Sequence, residues 1–116
     1  MVSLKNPALD FQVYGSWVGF AVDQTTHTVV KEIYSPHGSY LLEIHNPRAD
    51  EKGIYYIWGI WHTANSDVFV QIKGSSNPTL FDPGDQIVMR DVAVENGIMT
   101  YRDEAGKPWI YLRISG

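Results

Sequence analysis

A hydrophobic period of 3.6 residues does not persist over even about 11 residues anywhere in this chain. Short runs rich in β-branched and aromatic residues recur instead, separated by Gly, Pro, Asn and Asp. Eight such runs are visible, at 11–22, 28–34, 40–45, 54–62, 68–73, 87–94, 98–102 and 108–114. Turn chemistry stands between them. Ser35-Pro36-His37-Gly38 offers a proline that presets φ and a glycine that tolerates positive φ. Asn96-Gly97 is a two-residue hairpin signal. Thr63–Ser66 and Asp103–Lys107 turn the chain again, Asn46–Lys52 reads as a polar loop, and residues 74–85 form the longest segment outside the strands.

Strands spaced by roughly 8–12 residues predict a sandwich or a barrel rather than βαβ units. Short connections make sequence neighbours antiparallel partners. Eight hairpin-linked strands leave two open edges, and pairing the first strand with the eighth removes both. The expected fold is therefore all-β, an eight-stranded antiparallel up-and-down β-barrel, as one domain over residues 1–116. The first ten residues could add a short helix capping one mouth.

Charge and composition narrow the partners. Nine Lys and Arg against thirteen Asp and Glu give a net charge of −4, with no cationic cluster. Duplex nucleic acid needs convergent cations, and anionic membranes disfavour a negative surface. Neither partner is expected. There is no cysteine, which removes disulfides, thiolate metal sites and Cys nucleophiles together. No apolar run approaches the roughly 20 residues of a membrane-crossing helix. Met1–Asp10 lacks a stretch of signal length, so a soluble, cytoplasmic protein is expected.

Gly15-Ser16-Trp17 lies in the first strand, and Arg113 lies in the last. This pair resembles the calycin superfamily, which includes the lipocalins and fatty-acid-binding proteins. There a Gly-x-Trp motif opens the first strand, and a cation from the last strand packs over the indole and closes the barrel. The likeness in strand layout covers nearly the whole chain. The departures are a shorter chain, Glu95-Asn96-Gly97 where a Thr-Asp-Tyr motif would stand, no disulfide, no C-terminal helix and no room for a helical lid. The likeness is strongest to short bacterial lipocalin-like domains, whose ligands are diverse. The resemblance implies a structural role for Trp17 and Arg113. The physics agrees: neighbouring first and last strands let a guanidinium stack on an indole, worth about 0.5–2 kcal/mol.

The fourth run, Ile54–His62, is apolar and aromatic on both faces. A barrel strand with water outside should show one polar face. The Ile54, Tyr56, Trp58, Ile60 and His62 face is expected inward. The other face then meets a partner subunit in a homodimer, or a loop covers it. Tyr40, Leu42 and Ile44 of the third run, and Val68 and Val70 of the fifth, are expected inward too. Tyr40, Tyr56, Trp58, Met89 and Tyr101 would then line a lumen suited to a flat apolar or aromatic molecule. His62, near a mouth, could serve as an acid or base. Arg90, if inward, could pair with a ligand carboxylate. Glu32, Asp91 and Arg102 are further charges within strands, some of which must point outward. His45 and Glu43, at i and i+2, could hold a metal on a strand. No histidines share zinc-motif spacing, and neither a metal nor another cofactor is expected.

The expected function is binding of a small hydrophobic or aromatic molecule in the barrel. One alternative is a cofactor-independent enzyme (cyclase, isomerase or decarboxylase) using the same cavity, with catalytic residues unassigned. It would show an inward Tyr–carboxylate or His–carboxylate pair within hydrogen-bond reach. Another is an interaction module whose barrel is filled by side chains.

Overall fold

The computed structural model describes residues 6–21, 29–45, 54–76 and 82–115. The polar loop expected over 46–52, His27 and part of the 74–85 segment lie outside these residues. A helix, α1 (Pro7–Val13), precedes eight strands: β1 (Gly15–Ala21), β2 (Val29–Tyr34), β3 (Ser39–His45), β4 (Ile54–Ala64), β5 (Asp67–Ser75), β6 (Gln86–Glu95), β7 (Ile98–Arg102) and β8 (Pro108–Ser115). Each strand is antiparallel to the next, and β8 returns to pair with β1 through Trp17↔Arg113, Gly19↔Tyr111 and Ala21↔Trp109. The barrel is closed, as expected. Among the described residues no helix is long and apolar enough to cross a membrane.

The tight turns follow local chemistry. Asn96 and Gly97 both take positive φ (53° and 76°), as a type I′ hairpin turn requires. Gly38, with φ of 90°, closes the β2–β3 turn, its N–H donating to Ser35 O. Strand lengths differ from expectation at three places. β4 runs on through Thr63 and Ala64, which the sequence assigns to the turn. β5 runs on to Ser75, so Gly74 is part of the ladder opposite Trp58. The first strand starts at Gly15 and not at Phe11. Residues through Val13 are helical because Pro7 starts the helix, the Asn6 side chain caps Leu9 N–H at 3.1 Å, and Leu9 and Val13 sit four apart on one buried face. Phe11, which reads as a strand aromatic, is 74% exposed.

That helix closes one end of the barrel. The Trp17 indole N–H donates to Val13 O at 2.9 Å. Arg113 lies with its guanidinium carbon 4.3 Å from the Trp17 ring centroid. It also donates to Tyr14 O at 2.6 Å and Gln12 O at 2.5 Å. Carbonyls at a helix C-terminus lack intrahelical donors and carry partial negative charge, so a cation there satisfies them twice over. On the far side, Thr63 donates to Asp10 Oδ1, and Asn6 donates to Asn65 O, tying α1 to the β4–β5 hairpin.

Two substitutions test this closure. Trp17 is completely buried, so Trp17→Ala is expected to cost about 3–5 kcal/mol in chemical denaturation. Arg113→Lys keeps a charge and a stem but cannot reach two carbonyls in a planar fork. It is expected to lose less stability than Arg113→Ala and more than a surface Arg→Lys change.

Candidate functional site

Alternation on β2 turns Val30, Glu32 and Tyr34 toward the lumen and Val29, Lys31 and Ile33 away. Register then places Glu32 between Trp17 on β1 and Leu42 on β3. The carboxyl is only 1% exposed. Its Oε2 accepts from the Tyr34 hydroxyl at 2.8 Å and from the Tyr40 hydroxyl. From β8 and β7, the Tyr111 and Tyr101 hydroxyls pair with each other at 3.0 Å. Gly19, opposite Tyr111, makes that position possible: a Cβ there would lie 2.6 Å from the tyrosine ring. Among the described residues Glu32 Oε1 has no hydrogen-bond partner.

Burial dominates the electrostatics. It pushes the Glu32 carboxyl above its usual 4.5, while the Tyr40, Tyr111 and Tyr34 hydroxyls pull the other way. The phenols of Tyr34, Tyr40, Tyr101 and Tyr111 all stand well above their ordinary value of 10, first through burial and then through the negative charge of Glu32. A carboxyl with a raised proton affinity, held by phenols that stay neutral, can accept or donate a proton at a site shielded from water.

A cavity of about 430 Å³ reaches this cluster from the end opposite α1. Glu32, Tyr40, Tyr101 and Tyr111 line its depth. Val30, Leu42, Ile44, Ile87 and Met89 supply aliphatic and thioether walls. Trp109 and the acidic Asp103 and Glu104 also border it. Asp103 holds the Trp109 indole N–H at 3.0 Å and accepts from the Ala105 and Lys107 N–H groups. The Tyr101 and Trp109 rings stack within 7° of parallel, their centroids 6.4 Å apart.

Of the residues expected at the site, Tyr40, Met89 and Tyr101 line this cavity, and Tyr56, Trp58, His62 and Arg90 do not. The parity expected for β4 is reversed. Register pairs Tyr40 with Gly59, Leu42 with Ile57 and Ile44 with Tyr55, so Ile57 and Trp61 face inward with β3's inner residues. Tyr56 and Trp58 lie on the outer surface, where the Trp58 indole covers Gly74. Ile54 and Ile60 join them there, each at least 40% exposed. His62 is also outside, near the helix end of the barrel, stacked on Phe69 at 5.2 Å and bordering a smaller hollow of about 140 Å³. Arg90 points outward just before a bulge in which Asp91 takes a φ of 54°; it pairs with Asp67 at 2.8 Å. It is thereby removed from any ligand in the lumen. His45 and Glu43 approach to 3.5 Å, and no third donor gathers with them among the described residues.

Glu32, Tyr111 and Trp109 are the site residues that the sequence did not single out. The available signal was the alternation of β2, which puts a carboxylate on the face shared by Val30 and Tyr34. The competing face carries Lys31, so alternation alone left the choice even. No protein-family model matches the chain, and no curated protein matches it.

Stability should report the buried carboxyl directly. A group whose folded value is raised binds its proton more tightly in the folded state. Its contribution is fully present below pH 4.5 and is lost as pH rises through the raised value. In urea titrations Glu32→Gln is expected to flatten that descent, leaving the variant the more stable protein above it. At the alkaline end, the four lumen phenols are expected to ionise in ultraviolet titration only as the barrel unfolds.

Proposed function

We propose that the barrel binds a small, mostly apolar or aromatic molecule whose one polar group meets Glu32. The observation that carries this reading is the orphaned Oε1 of a fully buried carboxyl at the floor of a cavity walled by rings and aliphatic side chains. Buried polar atoms without partners are rare in folded proteins, and a ligand supplies the missing one. A volume of about 430 Å³ lies in the range of small-molecule sites. The Gly15-Ser16-Trp17 motif and the Arg113 stack across the seam support a place among calycin-like, lipocalin-like barrels, where such cavities carry ligands.

The test uses a neutral, apolar fluorescent probe, N-phenyl-1-naphthylamine, titrated into the protein. Saturable enhancement with quenching of Trp109 emission is expected, and Ile44→Trp, which fills the cavity with a half-buried side chain, is expected to abolish it without unfolding the barrel. Probe binding that survives Ile44→Trp would place the ligand elsewhere and end the proposal.

A second reading, acid–base catalysis in the same cavity, is favoured by the Tyr–carboxylate contacts of Tyr34 and Tyr40 with Glu32. Its signature is deuterium from heavy water entering a ligand recovered from the protein, lost in Glu32→Gln.

The outer face of β4 supports self-association as a homodimer: Ile54, Tyr56, Trp58 and Ile60 form an exposed apolar row. Sedimentation velocity is expected to show a dimer that Ile60→Lys returns to monomer; a wild-type monomer at all accessible concentrations would dismiss it.

A further inference from the structure

The charged groups among the cavity's described lining residues are of one sign, and the nearest described cation at its rim, Lys107, stands 5.9 Å from the Trp109 ring centroid. Glu32 sits at the cavity floor, and Asp103 and Glu104 border the cavity. No Lys, Arg or His is among the described lining residues. The two arginines nearest in expectation are committed elsewhere, Arg90 to Asp67 on the outer surface and Arg113 to the Trp17 ring and the α1 carbonyls. The remaining walls include four aromatic rings, Tyr40, Tyr101, Trp109 and Tyr111, whose faces carry negative electrostatic potential. A ligand anion would meet Glu32, Asp103 and Glu104 and no cation among the described lining residues. A ligand cation would meet ring faces on the way in and an unpartnered carboxyl oxygen at the end.

We propose that the ligand is a small amine, an aromatic or aliphatic body carrying one protonated nitrogen that donates to Glu32 Oε1. This rests on the binding function proposed above and names the polar group of that ligand. The amine supplies an N–H where Oε1 has no donor, and its charge compensates a carboxylate that no cation among the described residues reaches. The aromatic or aliphatic body packs between the paired rings of Tyr101 and Trp109 and the aliphatic wall of Leu42 and Ile44.

Proton linkage follows. The groups facing Glu32 are hydroxyls and a thioether: Tyr34 from its own strand, Tyr40 from β3, Met89 from β6, Tyr101 from β7 and Tyr111 from β8, with the Trp17 indole beside it on β1. None of these brings a positive charge. A bound ammonium favours the ionised carboxyl, so amine binding displaces the Glu32 proton to solvent wherever that proton was held.

The test is isothermal titration calorimetry at neutral pH with three probes that share a ring and differ in the head: 2-phenylethylamine, 2-phenylethanol and 3-phenylpropanoate. The amine is expected to bind at least tenfold more tightly than the alcohol, and the carboxylate not measurably. Glu32→Gln is expected to weaken the amine by about ten- to a hundredfold, the range of a lost charge-assisted hydrogen bond, and to leave the alcohol within a few-fold. Repeating the amine titration in two buffers of different ionisation enthalpy reads the released proton. Equal affinity for alcohol and amine, or preference for the carboxylate, overturns the amine assignment while the binding function stands. Failure of all three, with N-phenyl-1-naphthylamine still bound and blocked by Ile44→Trp, also overturns it. Failure of every probe, the naphthylamine included, removes the binding function itself. Should Glu32→Gln not fold, Tyr40→Phe serves instead. It removes a donor from Oε2 and is expected to change amine affinity while sparing the alcohol.

Discussion

A lumen exists here only because the backbone donors and acceptors of β1 find partners on β8. Left apart, those two strands would each present an unpaired edge, and the sheet would have no inside. The seam does more than close the ladder. Its inner residues form both halves of the interior: Trp17 with Arg113 toward the helix, Gly19 with Tyr111 toward the cavity. A register shift at Ser16/Trp17 sits where the chain leaves α1 and enters the barrel. Removing the seam would therefore undo the plug and the cavity wall in one step.

The two ends of the barrel solve opposite problems. At the helix end the difficulty is unpaired backbone, and Arg113 resolves it by giving its donors to Gln12 and Tyr14 carbonyls while its flat face rests on Trp17. At the other end the difficulty is an unpaired side chain. Taking a carboxylate out of water costs several kcal/mol unless hydrogen bonds replace its hydration. Tyr34 and Tyr40 replace it at one oxygen only. Among the described residues no cation reaches the other oxygen, and the carboxyl stays half-satisfied.

How much of this was legible depends on which constraint set each feature. Local chemistry set the strands and turns, and the sequence shows it: Asn96-Gly97 needs positive φ at both positions, and Gly38 needs it once. Edge removal set the closure, which follows from the strand count. The Gly15-Ser16-Trp17 and Arg113 pair then met across the seam as their positions suggested. Strand parity was another matter. β3 alternates against polar residues and was readable, so Tyr40, Leu42 and Ile44 line the cavity as expected. β4 is apolar on both faces, so hydrophobicity does not choose its orientation, which appears only in its register with β3. That is why the sequence points Tyr56, Trp58 and His62 into the lumen while the structure holds them outside it. α1 was legible as a cap but not in its extent, because Phe11, Val13 and Tyr14 also suit a strand.

Glu32 and Trp58 are two places where the strand rule fails, one a charge turned inward and the other a large apolar ring turned out. They fail for different reasons. Trp58 has a local explanation, since its indole fills the space left by Gly74 across the ladder. Glu32 has only half of one: its Oε2 accepts from the buried Tyr34 and Tyr40 hydroxyls, while its Oε1 is left without a partner and the burial of the charge carries a desolvation cost. On β2 the inward pattern of Val30 and Tyr34 is broken by a charge at the floor of the cavity. Such departures gather at functional positions, because binding or chemistry requires there what stability alone would discard.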